Sequence, residues 1–66
     1  MTKDRMEQIA ISGIEQMCEF NPETASPDEI YDDCYCAALD ALLSAGIRNG
    51  EARDIASIVA RRFAQP

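Results

Sequence analysis

Three cysteines, Cys18, Cys34 and Cys36, and twelve carboxylates are the side chains with the most chemistry to offer in this chain. Histidine is absent, which removes the commonest general base and metal ligand at neutral pH. Cys34 and Cys36 are two positions apart, so on a helix their side chains point about 200° away from each other and cannot share one ion. With Cys18 the set is one thiol short of a four-ligand structural zinc site, and an odd count argues against a disulfide framework. The thiols therefore read as packing groups at Cys18 and Cys34, with Cys36 an exposed thiol.

The carboxylates Asp28, Glu29, Asp32 and Asp33 resemble a metal cluster by number alone. A calcium loop takes ligands at alternating positions around a central glycine, whereas these residues sit in a helical pattern. Acid–base catalysis by paired carboxylates needs a cleft, and short helices offer little concavity. Ser12, Ser44 and Ser57 have no base to activate them. No catalytic residue, metal ligand or cofactor-binding residue is assigned, and the chain reads as non-enzymatic.

Most of these groups lie on one well-signalled helix, expected over 27–45. Ser26 can cap its first amides, Pro27 suits the first helical position, and Glu29 can reach back to the cap. Asp28 and Glu29 place negative charge at the positive end of the helix dipole. Gly46 can close the helix in the left-handed conformation, followed by an apolar contact from Ile47. At 100° per residue, Ile30, Tyr31, Cys34, Tyr35, Ala37, Ala38, Ala41, Leu42 and Ala45 form one broad apolar arc. The opposite side carries Asp28, Glu29, Asp32, Asp33 and Asp40. Within that acidic side Cys36, Leu39 and Leu43 form a second, narrow apolar stripe at spacing i, i+3, i+7.

Two more helices are expected around it. The first, over 3–19 behind a Thr2 cap, repeats Met6, Ile9, Ala10, Gly13, Ile14 and Met17, with Ile11 and Cys18 widening the apolar arc to about half the circumference. Glu7, Gln8, Ser12, Glu15, Gln16 and Glu19 make its wet side. Gly13 in mid-helix costs up to about 1 kcal/mol relative to alanine, which suits a close helix crossing. Asn21-Pro22 ends this helix, and Phe20 can staple the next one. The third helix, over 50–64 with Asn49 as its cap, buries Ala52, Ile55, Ala56, Val59, Ala60 and Phe63 and leaves Arg53, Asp54, Arg61 and Arg62 outside. The fold expected is all-α, a single three-helix domain over 1–66.

Sixty-six residues support only a thin core, since a chain near this size buries about 60% of its unfolded surface. The wide arc of the first helix and the extra stripe on the second both point to association, so a homodimer is expected. The net charge is −6, unevenly placed. Residues 1–40 carry ten acidic and two basic side chains, a balance of −8, while residues 41–66 carry four arginines against Glu51 and Asp54, a balance of +2. Such acidity disfavours direct contact with a phosphate backbone. The opening residues carry no secretory apolar segment, and no apolar run reaches membrane-spanning length, so a cytoplasmic protein without a membrane span is expected.

These features favour a small acidic protein-binding regulator, the type to which phage-encoded inhibitors and bacterial antiactivators belong. The expected contact set is Asp28, Asp32, Asp33, Cys36, Leu39, Asp40 and Leu43. Its partner is a larger protein with a basic-rimmed apolar groove, which in one form is a nucleic-acid-binding site. Two rivals remain: a DNA-binding module using the arginines of the third helix, which has the three-helix layout of helix–turn–helix readers, and a structural subunit of a larger assembly.

Overall fold

The computed structural model describes residues 2–17 and 25–64, and these form three helices, α1 (Lys3–Met17), α2 (Pro27–Ser44) and α3 (Asn49–Ala64). The expected residues 18 and 19 of the first helix, the Phe20 staple, the Asn21-Pro22 stop and Cys18 lie outside the described residues.

The helix ends follow the capping chemistry of the sequence, with two corrections. The Thr2 hydroxyl accepts from the Arg5 amide at 3.2 Å, and the Ser26 hydroxyl accepts from the Glu29 amide at 3.3 Å. Helix α2 ends one residue earlier than expected, with Ala45 as its cap and Gly46 at φ 89°. The Ile47 amide donates to the Leu42 carbonyl at 3.1 Å and the Gly46 amide to Leu43 at 3.0 Å, the paired bonds of a Schellman motif. Helix α3 starts at Asn49, not Gly50, and the cap position belongs to Arg48, whose carbonyl accepts from the Ala52 amide at 2.7 Å.

Helices α2 and α3, joined by this short turn, form a hairpin with the most extensive of the three contacts, and α1 packs on both. The core is Met6, Ala10, Ile14, Ile30, Cys34, Ala37, Ala38, Leu42, Ala52, Ile55, Ala56, Val59 and Ala60. Six of these thirteen are alanines, so the helices come close together rather than interleaving large side chains. Gly13 marks the closest approach: a Cβ there would lie 2.5 Å from Ala41 Cβ and 3.2 Å from the Ala37 carbonyl oxygen. Glycine is required at that point by space, not by backbone angle.

Three apolar positions assigned to the core arcs are instead exposed: Ala45, Met17 at 57% and Phe63 at 36%. Each lies in or beside the last turn of its helix. Glu7 departs in the other direction. Assigned to the wet side of α1, it is buried, with its carboxylate 2.6 Å from an Arg62 guanidinium nitrogen. At about 100° per residue Glu7 falls between Ile14 and Ile11, so its position in the buried arc was legible although its residue type pointed outward.

Candidate protein-binding surface

The outer side of α2 is built by the same caps that define the helix. The Ser26 hydroxyl starts it and the Schellman turn ends it, so from 27 to 44 the side chains keep one angular order. Asp28, Asp32, Asp33, Cys36, Asp40 and Leu43 are exposed, together with Glu29. No lysine or arginine occurs between Pro27 and Ser44, so the charged side chains that α2 itself contributes to this surface are all acidic. Asp32 and Asp40 are eight residues apart, hence about 12 Å along the axis, with Cys36 midway between them.

Leu39 does not share the exposure expected of the stripe. It is half-buried and packs against the core, whereas Leu43 remains 43% exposed. The reason is angular: Leu39 lies about 40° from Tyr35, four positions earlier on the helix, and Tyr35 is itself half-buried against the core. Leu39 thus forms the margin between core and surface, and Leu43 and Cys36 form the exposed part of the apolar stripe.

Two polar contacts that the sequence reading did not single out hold the helices that carry this surface. Tyr31 and Ser57 share a hydroxyl–hydroxyl hydrogen bond of 2.9 Å between α2 and α3, and the Tyr31 ring stacks on Tyr35 at 6.0 Å and 21°. The Glu7–Arg62 pair ties α3 to α1. Tyr31 and Tyr35 are four apart on one helix, a spacing that lets their rings meet. Their link to Ser57 depends on how α3 docks.

Cys34 and Cys36 do not come together. Cys34 is fully buried, Cys36 is exposed, and they lie on different sides of α2. Among the described residues no three cysteine, aspartate or glutamate side chains are arranged to hold a metal ion. An open groove beside Gly13 is lined by Arg5, Gln8, Ile9, Ser12, Gln16 and Ala41, and the grooves at Met6–Glu51 and Glu7–Arg62 are lined by other residues again. None of the α2 carboxylates lines these three grooves.

The arginines of α3 are less available than their number implies. Arg62 is engaged by Glu7, and the exposed acids Glu51 and Asp54 flank Arg53. This places negative charge in the N-terminal half of α3, where a helix–turn–helix reader makes its base contacts. No helix of the described residues is long and apolar enough to cross a membrane. No family model, curated protein or solved structure matches this chain.

Proposed function

We propose that this chain is a non-enzymatic protein-binding regulator, an inhibitor or antiactivator of the phage or bacterial kind, which lays the outer side of α2 into a basic-rimmed apolar groove on a larger protein. One observation supports this most directly: eighteen consecutive helical residues, none of them lysine or arginine, carry exposed carboxylates beside exposed Leu43. An amphipathic helix set in a groove is a recurrent recognition mode. The carboxylate rim governs how fast the partners meet, while burial of Leu43 and the edge of Leu39 governs how slowly they part. Where the groove serves a nucleic acid, the α2 carboxylates occupy positions that phosphates would take, and inhibition is competitive. The free chain self-associates through the same surface as a homodimer. Thiols at Cys34 and Cys36 fit a reducing, cytoplasmic setting.

The test begins with cross-linking in the native host and continues with kinetics on the purified partner. Asp28→Lys with Asp32→Lys should slow association and flatten its salt dependence, while Leu43→Ala should mainly speed dissociation. If both variants bind as the parent does and Arg53→Asp with Arg61→Asp abolishes binding, the working surface is α3 and the proposal fails.

A further inference from the structure

We propose that in the free protein the acidic side of α2 is covered by α3 of a second copy, in a two-fold dimer that masks the partner surface. The inference rests on the reading of α2 as the contact surface and names its resident occupant. Helix α2 presents an i, i+4, i+8 row of Asp32, Cys36 and Asp40, all exposed. Helix α3 presents the matching row of Arg53, Ser57 and Arg61, with both arginines exposed and Ser57 half-buried. Each row has like charges about 12 Å apart, with a small side chain at its centre. Rows of this spacing are the ridges by which two helices most often pack. Run antiparallel, the rows bring a carboxylate to a guanidinium at both ends and set Cys36 level with Ser57, whose hydroxyl is already bonded to Tyr31 of its own chain. A two-fold axis repeats the contact, so one patch meets its complement twice.

Exposed apolar side chains lie on both helices without meeting each other: in this register Leu43 is level with Gly50, and Ile58 with Tyr35, of the facing chain. Leu43 on α2 and Ile58 on α3 are 43% and 37% exposed. Arg62 is engaged with Glu7, which leaves Arg53 and Arg61 as the α3 cations for a second chain. Asp54, exposed beside Arg53, opposes the approach of the acidic row, as does the charge of −6 on each copy. Self-association is therefore weak enough for a basic partner to displace it. Salt screens the local attraction and the net repulsion together, so charge exchange is a better probe than ionic strength.

The experiment is sedimentation equilibrium of the purified full chain, with far-ultraviolet circular dichroism as the folding control. The parent should be a dimer of 7.3 kDa chains in the micromolar range. Asp32→Arg with Asp40→Arg should raise the dissociation constant at least about tenfold, and so should Arg53→Asp with Arg61→Asp, since close charge pairs at interfaces are strongly coupled. The chain carrying all four exchanges should return to within about threefold of the parent, because every pair is again opposite in sign. Asp54→Ala should tighten the dimer. If charge reversal unfolds a chain, the neutral set Asp32→Asn with Asp40→Asn reports the same loss without repulsion. A parent that is monomeric at 100-fold higher concentration overturns the proposal, as do two-site variants that remain dimeric, or a folded four-site chain that stays monomeric. No partner protein enters the measurement, so failure here leaves the partner-binding proposal standing, and failure of partner binding leaves the dimer standing.

Discussion

Gly13→Ala tests the packing that orients α2. Alanine is favoured over glycine in a helix interior by up to about 1 kcal/mol, so a helix standing alone would be strengthened. Here the added Cβ would lie 2.5 Å from Ala41 Cβ and 3.2 Å from the Ala37 carbonyl oxygen. Ordinary carbon–carbon contact is about 3.5–4.0 Å, so α1 must move away from α2 by about 1 Å or more. The immediate obstacle includes backbone, which cannot turn aside as a flexible side chain would. Overpacking of a well-filled core costs about 1–3 kcal/mol, and the shift also loosens contacts around Ala10 and Ile14. The net loss expected is about 1–2 kcal/mol, or roughly 5–15 °C in melting temperature for a domain of this size. Urea denaturation followed by circular dichroism measures it. Two companions sharpen the result. Gly50→Ala, which adds a Cβ into open space near the start of α3, should stabilise by about 0.5 kcal/mol. Gly13→Ala combined with Ala41→Gly should lose less than the sum of the two single changes, because the nearest obstructing atom is gone. A Gly13→Ala chain as stable as the parent would refute the close crossing.

Three further outcomes are expected. Leu42→Ala should cost about 2–4 kcal/mol of folding stability because Leu42 is fully buried, whereas Leu43→Ala should change stability by less than about 0.5 kcal/mol; equal losses on denaturation would contradict the assignment of Leu43 to the surface. Arg62→Ala should destabilise by about 1 kcal/mol by leaving the buried Glu7 carboxylate without its partner, a figure held down by the solvent exposure of Arg62, and Glu7→Met should recover most of it in the double variant; denaturation midpoints decide. Cys36→Ser should leave stability within about 0.5 kcal/mol of the parent, while Cys34→Ser, which places a hydroxyl at a fully buried site, should cost about 1–2 kcal/mol; the reverse order would mean the two thiols are misplaced.

Local chemistry decided the helices. Ser26 with Pro27, Gly46 with Ile47, and Thr2 act on neighbours within a few residues, so their effect is readable without knowing what lies across the fold. The apolar periodicity of Ile30, Cys34, Ala37, Ala38 and Leu42, and of Ala52, Ile55, Ala56, Val59 and Ala60, likewise named the buried faces, because angular position on a helix follows from numbering alone. Exposure on the outer side of α2 was legible to the same degree: of Asp28, Asp32, Asp33, Cys36, Leu39, Asp40 and Leu43, all but Leu39 are exposed.

What numbering could not determine is how far each helix extends beside its neighbours and which long side chains reach across. Leu39 was drawn into the margin of the core, and Phe63 and Met17 were left exposed. Glu7 was carried inside because Arg62, fifty-five residues later, comes within 2.6 Å of it. Tyr31 meets Ser57 for the same reason. These outcomes depend on the docking of α3 against α1 and α2, and the close approach at Gly13 and Ala41 sets the spacing of α1 against α2. Docking is a balance of contacts between distant parts of the chain, and a helical period, which repeats identically whatever stands opposite, contains no record of it.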